Sequence, residues 1–340
     1  MTRRGRMARG VLLRAGAALA LALLVAGCGG QSAAAPAETK ADRRVWVMSD
    51  IHAGAREEGR DGAEWFQLAV DDVRKNVPHV AYALALGDMT LQGSAKGLEA
   101  YAAVRDGSKI APWFELAGNH EAGVQNGEAY RKVVKTPRRY VVLDGNTAWF
   151  MVSCESINPA TITQETADWL RDGIQRHQGD KNIIVSTHHP VYDTVTGSTT
   201  DGRYLAPEAR VADLLSQVRV DLWLCGHVHT RPRTPECAAT RDRTTFVNVA
   251  SINHAYATKQ ANSCILEIVS GSREALVRAR DHDHQQYLAG QDVKVTFAYA
   301  FRPGTPSEAL PDGVPPATKP AITALRIPHS TFRIRTRERA

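Results

Sequence analysis

Apolar runs and amphipathic stretches take turns along most of this chain. Short runs rich in Val, Leu and Trp predict strands over Arg44–Ser49, Val80–Leu86 and Trp113–Ala117. Between them, Glu64–Asn76 and Lys96–Arg105 repeat their apolar residues at helical spacing. Arg139–Leu143 and Ala148–Ser153 predict neighbouring strands joined by the turn Asp144-Gly145-Asn146. Thr163 is placed to cap a helix whose apolar face carries Ala167, Leu170 and Ile174. A strand over Asn182–Ser186, a helix over Glu208–Val218 and a strand over Asp221–Leu224 follow. Helices then stop. Thr245–Val249, Cys264–Val269 and Glu274–Arg278 predict strands, and Val293–Ala300 alternates as a strand does. This order predicts one layered α/β domain rather than two independent units. Trp46, Trp149 and Trp223 fall inside strands and belong to its core.

Both ends depart from that pattern. Arg3, Arg4, Arg6, Arg9 and Arg14 form a basic leader, followed by an apolar run from Leu19 to Ala26. That layout is a secretory signal, too short for a comfortable membrane span. Val25-Ala26-Gly27-Cys28 resembles the bacterial lipoprotein processing box, in which the cysteine becomes the first mature residue and carries lipid. Thr2-Arg3-Arg4 resembles a twin-arginine export signal only weakly, because Arg6 stands where an apolar residue is expected. Gly29 to about Arg44 is rich in Ala, Ser, Gln and Pro and reads as a flexible tether. Pro303–Pro320 is proline-rich and reads as extended or loosely packed, and Ile322–Phe332 as an edge strand or docking arm.

The leader changes the meaning of the charge. The whole chain has 42 Lys+Arg against 36 Asp+Glu, but five arginines and no acid precede Cys28. The mature part is therefore close to neutral, with 37 against 36. A nucleic-acid partner is not expected from such a surface.

Five motifs follow the ends of strand-like runs: Asp50-Ile51-His52, Gly87-Asp88, Gly118-Asn119-His120-Glu121, His188-His189-Pro190 and Gly226-His227-Val228-His229. Carboxylates, imidazoles and an amide oxygen in this distribution suit a pair of divalent transition metals. Asp50 and His52, like His227 and His229, are two residues apart, which in an extended segment turns both side chains to one face. Asp88 closes a run that should be buried on both faces, where a lone charge is costly without a partner. Its two oxygens suit it to bridge two cations.

In order, spacing and setting these motifs resemble the calcineurin-like metallophosphoesterase superfamily, over about Val45 to Arg280. The resemblance implies an α/β fold: a four-layer αββα sandwich of two packed mixed β-sheets flanked by helices, with the site at the strand ends. It implies metal-dependent hydrolysis of phosphate esters, as a phosphomonoesterase or a phosphodiesterase. Asp50, His52 and His229 would hold one metal, and Asn119, His188 and His227 the other, with Asp88 between them. A bridging hydroxide would be the nucleophile, and His120 the general acid at the leaving oxygen. His188 is the ligand of the tandem pair, because the family's ligand lies two residues before the proline. His189 would point elsewhere, toward substrate, and Glu121 would orient His120 or a ligand from behind. The metals would be two divalent transition-metal ions, with Mn, Fe, Zn, Ni and Co all compatible with the donor set. Purple acid phosphatases carry a metal-binding tyrosine three residues after the bridging aspartate. Leu91 stands there, so a tyrosine-to-iron site is not expected.

The chain thus divides into a lipoprotein signal peptide (1–27), a tether (28–43), the catalytic domain (44–300) and a proline-rich C-terminal extension (301–340). The expected setting is the outer side of the cytoplasmic membrane, held through lipid on Cys28, acting on a small-molecule or envelope phosphoester. A nuclease or cyclic-nucleotide phosphodiesterase is the alternative among enzymes. A non-catalytic surface-binding lipoprotein is the alternative of another class, and its expected loss of ligands is not seen.

The remaining candidates weigh less. His79, His177 and His329 read as surface or loop residues, and Asp281-His282-Asp283-His284 could mimic a second metal site. Asn253, His254, Arg56, Tyr192 and Tyr204 could reach the mouth of the cleft. Cys154 and Cys225 read as small buried residues, while Cys237 and Cys264 flank a strand-like segment and could pair as a disulfide.

Overall fold

The computed structural model describes residues 40–309, apart from 124–126, 157–159 and 255–258. The signal and Cys28, most of the tether, His329 and the Ile322–Phe332 segment lie outside the described residues.

Strand β1 (Arg43–Met48) leads through a small hairpin, β2 (Arg56–Glu57) and β3 (Arg60–Asp61), into helix α1 (Gly62–Asn76). Strand β4 (Val80–Leu86), helix α2 (Ala95–Gly107) and strand β5 (Trp113–Leu116) follow. Two short helices, α3 (Asn119–Gly123) and α4 (Glu128–Val133), lead to a second sheet. Its elements are β6 (Arg139–Asp144), β7 (Thr147–Val152), α5 (Gln164–His177), β8 (Asn182–Thr187), α6 (Glu208–Gln217), β9 (Leu222–Cys225), β10 (Ala238–Arg241) and β11 (Thr244–Asn248). The chain then returns to the first sheet as β12 (Asn262–Ile268), β13 (Glu274–Asp281), β14 (Gln286–Tyr287) and β15 (Val293–Thr296). Strand β16 (Ser307–Ala309) ends on the second sheet.

The first sheet has the order β14-β13-β12-β1-β4-β5, with β15 also on β13. The second runs β10-β11-β9-β8-β7-β6-β16. Both are mixed: β1, β4 and β5 are mutually parallel, as are β7, β8, β9 and β11, and antiparallel strands flank them.

Period-two alternation explains why the central strands are apolar throughout. Val45 and Val47 face the space between the sheets, while Trp46 and Met48 face α1 and α2. In the second sheet Leu222 and Leu224 face inward and Trp223 packs with the α5 and α6 side. Three apolar cores therefore separate four layers, helix, sheet, sheet, helix, as the α/β sandwich expectation required. All three strand tryptophans are fully or nearly fully buried.

Several local features anchor the frame. Asp61 caps α1 by accepting from Ala63 N, and Glu64 reaches back to accept from Asp61 N. Such a cap stabilises a helix by about 1 kcal/mol. Asp61 also accepts from Gly54 N, two residues past His52. On the same helix, buried Asp72 accepts two bonds from Arg280 and a third from His282, tying α1 to β13.

Some expectations need correction. The disulfide does not form: Cys237 and Cys264 are free, buried thiols in the apolar layer between the sheets. Burial there pushes the Cys237 thiol up to about 11, so both act as small apolar fillers. The alternation over Val293–Ala300 yields a strand only to Thr296, after which Phe297 and Phe301 plug the inter-sheet core. Sheet pairing also continues past residue 300, where β16 pairs with β6. His282 is no metal ligand, since Asp72 and Ser263 occupy its two nitrogens. His284 is exposed and bonded to Asp281.

Candidate metal centre

Each motif lies just beyond the carboxyl end of a parallel strand. Asp50 and His52 follow β1, Asp88 follows β4, and Asn119 and His120 follow β5. His188 follows β8, and His227 and His229 follow β9. Ends of open α/β strands are where ligands characteristically bind.

The β1 and β4 loops extend the ladder of their strands. Asp50 N donates to Gly87 O at 3.0 Å, His52 N to Asp88 O at 3.0 Å, and Ala53 N to Met89 O at 2.8 Å. Asp50, His52, Asp88, His227 and His229 all take positive φ, between 45° and 67°. The two-residue spacings therefore converge through left-handed turns, not through an extended segment as their period suggested. Each such non-glycine residue costs of order 1–3 kcal/mol and persists only where its surroundings enforce it.

Two glycines let the loops approach. A Cβ on Gly226 would lie 1.9 Å from Ser49 Oγ and 2.6 Å from Asp50 Oδ2. One on Gly118 would lie 2.1 Å from Asp88 Oδ1. Into the space so left, His227 N donates to Asp50 Oδ2 at 2.9 Å and His120 N to Asp88 Oδ1 at 3.0 Å. Gly226 is thus needed for close contact with the Asp50 loop.

All seven expected ligands lie on these five loops, and six of them converge in overlapping groups able to hold a cation. Asp50, His52 and His229 form one; His188, His189 and His227 another. Asp50, Asp88 and His188 link them, and His52, Asp88 and His120 form the fourth. Within a group the ligand atoms lie within 4.8 Å of one another. His229 Nε2 is 2.9 Å from Asp50 Oδ1 and 3.3 Å from His52 Nε2. His188 Nε2 is 3.1 Å from Asp88 Oδ2, while its Nδ1 donates to Leu86 O at 2.7 Å. That second bond fixes the ring and aims Nε2 at the cluster. Asn119 contributes a buried Oδ1 with no hydrogen-bond partner. An amide oxygen left bare in this way suits a cation, because burying an unsatisfied acceptor is otherwise costly.

The electrostatics express the crowding. Burial resists ionisation of Asp50, but His229 and His188 carry its carboxyl well below the usual range. Burial likewise opposes charge on His188, yet the Asp88 and Asp50 carboxylates push it up to about 9. His227 goes the other way, to about 3, under burial and then the neighbouring His188. His120 is lowered by burial, with His52 and His188 adding to the effect against Asp88.

His120 and Glu121 behave differently from the cluster. The His120 side chain is 34% exposed, against 5% for His52, 0% for His188 and 6% for His229. Its Nε2 lies 3.7 Å from Asp88 Oδ2, beside the cluster and open to solvent. Glu121 is buried and binds no imidazole. Its carboxylate accepts from Asp88 N at 2.8 Å, Gly118 N at 2.9 Å and Thr90 N at 2.9 Å, so it orients loops rather than His120. Burial and the Asp88 charge push its pKa up to about 7.

His189 also corrects its expectation. It is 1% exposed and turned inward, not toward substrate. Its ring lies 3.8 Å from that of His227, its Nδ1 is 3.5 Å from Cys154 Sγ, and its Nε2 has no hydrogen-bond partner. Asn253 and His254 are buried behind the Asp50 loop instead of reaching the cleft mouth. Arg56 donates within its own hairpin to Gly59 O, and Tyr192 and Tyr204 pack edge to face on each other.

The family model for calcineurin-like phosphoesterases matches residues 43–231, more than half of the chain and every motif above. The chain belongs to the calcineurin-like phosphoesterase family. It is a phosphoric ester hydrolase, and its His/Asp clusters are able to bind divalent metal. Among curated relatives, this phosphoesterase is 24% identical over 205 residues to a probable cyclic nucleotide phosphodiesterase of Rhodopseudomonas palustris, covering 54% of this chain and 70% of that one. It is 29% identical over 199 residues to a 3',5'-cyclic adenosine monophosphate phosphodiesterase of Pseudomonas aeruginosa, covering 54% and 68%. Among solved structures, a dimetal phosphatase from Danio rerio shares its fold with a TM-score of 0.57 at 12% identity, over 76% of this chain and all of that one. A purple acid phosphatase from yellow lupin aligns with the same TM-score at 14% identity, over 75% of this chain and 53% of that one. At these identities the likeness is one of fold.

Proposed function

We propose that this phosphoesterase hydrolyses phosphodiesters at a pair of divalent transition-metal ions. Asp50, His52 and His229 hold one ion, Asn119, His188 and His227 the other, and Asp88 lies between them. The observation that carries the reading is the interlocking of the four donor groups through Asp50, Asp88, His52 and His188. Linked in this way the groups gather eight side chains, more donors than a single ion takes. The unpartnered Asn119 oxygen adds a neutral donor of the right kind. When bound, such ions neutralise phosphoryl charge and make a water nucleophilic near neutral pH.

The chain's own groups supply the rest. His120 is the open imidazole of the cluster and donates a proton to the departing oxygen, general-acid help of about 10²–10⁴-fold. Asp88 Oδ1 holds the His120 main chain in place. Glu121 fixes the Asp88 and Gly118 loops relative to each other. The diester preference is supported by the two cyclic-nucleotide phosphodiesterases among the relatives. The basic leader, apolar run and Cys28 support export and lipid anchoring outside the cytoplasmic membrane.

The test is a panel of phosphomonoesters and phosphodiesters, cyclic nucleotides included, assayed with chelated and then remetallated protein. Hydrolysis should vanish on chelation, return with Mn²⁺ or a similar ion at two per chain, and favour diesters. Turnover that survives complete chelation would defeat the metal reading, and a monoester preference would defeat the substrate reading.

A further inference from the structure

The loop bearing Asp50 and His52 is supported from two sides. Behind it runs the segment Ser251–His254. Ser251 Oγ donates to Asp50 O at 3.0 Å, Ile252 N to Ser49 O at 3.2 Å, and Asn253 N to Asp50 O at 3.2 Å. Ahead of it the chain enters the β2–β3 hairpin, which folds back on the loop. Ala55 N donates to His52 O, and Gly62 N to Ala55 O, both at 2.9 Å. The packing is close enough that a Cβ on Gly62 would lie 2.4 Å from His52 O.

The two supports meet at one side chain. His254 Nδ1 lies 3.0 Å from Glu58 Oε2, at the hairpin turn. Its Nε2 lies 2.9 Å from Asp283 Oδ2, in the turn after β13. The imidazole stacks on Trp65 of α1, with ring centroids 3.5 Å apart and planes 13° from parallel. Arg60, also of the hairpin, sits 4.7 Å from the same indole. The path from Asp50 through His52, the hairpin, Glu58, His254 and Asn253 returns to Asp50 and is a closed circuit.

We infer that His254 is a positioning residue for the metal-holding loop: by gripping Glu58 and Asp283 together it locks the hairpin to the Ser251–His254 support and so sets where Asp50 and His52 stand. The inference rests on the proposed reading of Asp50 and His52 as ligands. Bonds to two carboxylates need two N–H donors, so the full grip exists only in the imidazolium form. Burial opposes that charge, but the bonds to Asp283 and then Glu58 prevail and raise the pKa above its ordinary 6.5. The grip is therefore complete below pH 6.5, and one carboxylate is released as pH climbs through the raised value. Three other charged groups border this contact. Lys259 lies 3.9 Å from Glu58, Arg60 covers the indole, and His284 lines a surface cleft beside His254, apart from the metal cluster, while bonded to Asp281.

Two measurements on wild type, His254→Ala, Glu58→Ala and a His284→Ala control test this at pH 6.5 and above the His254 titration, located in wild type by imidazole NMR. One is hydrogen exchange of the amides of residues 50–62 in metal-free protein. The other is calorimetric titration of chelated protein with Mn²⁺. At pH 6.5 both grip variants should exchange faster and bind Mn²⁺ about tenfold more weakly, the low end of the range for residues behind a ligand shell. Above the His254 titration the difference from wild type should shrink, and the control should follow wild type throughout. Glu58 is half-exposed, so Glu58→Ala retains the fold even where His254→Ala does not. Unchanged exchange and affinity in Glu58→Ala at pH 6.5, or a difference of equal size on both sides of the titration, would overturn the inference. Wild type that binds no Mn²⁺ would remove the ligand reading, and with it this role, even where faster exchange in the variants proves the grip itself.

Discussion

Replacing Glu121 separates loop anchoring from direct contact with the cluster. Its carboxylate takes three backbone N–H groups, from Asp88, Thr90 and Gly118, at 2.8–2.9 Å, and a longer bond from the Thr90 hydroxyl at 3.3 Å. Truncation to alanine strands all three amides. At about 1–3 kcal/mol for each stranded buried donor, the loss is about 3–9 kcal/mol as an upper bound, since water entering the gap recovers part of it. That is a large share of a typical stability of about 5–15 kcal/mol. Glu121→Gln is milder. Its carbonyl can take the Oε2 place and keep Asp88 N and Gly118 N, while its amide faces Thr90 N and strands one donor, at about 1–3 kcal/mol. Urea unfolding of both variants gives the stability difference, and elemental analysis gives the metal content. Alanine should fall well below glutamine in midpoint and retain less metal, because Asp88 loses its anchor. Equal midpoints, or full metal content in the alanine variant, would refute the anchoring argument.

His120→Ala should slow hydrolysis of esters with poor leaving groups by about 10²–10⁴-fold and of activated aryl esters far less; equal losses on both, in steady-state rates, would remove the acid role. Asp72→Asn should destabilise the fold by about 3–5 kcal/mol, because Arg280 would stay buried without its carboxylate partner. Burial resists the Asp72 charge, but bonds from His282 and Arg280 hold its pKa below the ordinary 3.8. Its contribution is therefore complete above that value and fades as pH falls through the depressed one. Urea midpoints of wild type and variant should accordingly converge in strong acid.

The frame was legible because both faces of its central strands are buried. Val45-Trp46-Val47-Met48 is apolar throughout since alternate residues serve different cores. The motifs were legible because they sit at strand ends, where a run of Leu and Ala stops at a charged residue. What failed to show was tertiary in origin. The β2–β3 hairpin has two-residue strands, too short for any period to register. The left-handed backbone of Asp50 and His52 has no local signature, because the neighbouring loop imposes it. Cys237 and Cys264 gave no sign of their apolar setting, which comes from opposite sheets. The Ser251–His254 support reads as an ordinary loop, and its use depends on residues two hundred positions earlier.

The five left-handed residues around the cluster have a bearing on descent. Asp50, His52, Asp88, His227 and His229 occupy a conformation that glycine adopts with far less strain. Hydrolysis and foldability thus pull these positions in opposite directions. A duplicated copy relieved of catalysis would gain stability from the very replacements that empty the cleft. Glycine accumulating at these five positions, ahead of change elsewhere in the domain, would be the mark of a lineage that kept the sandwich and abandoned the chemistry.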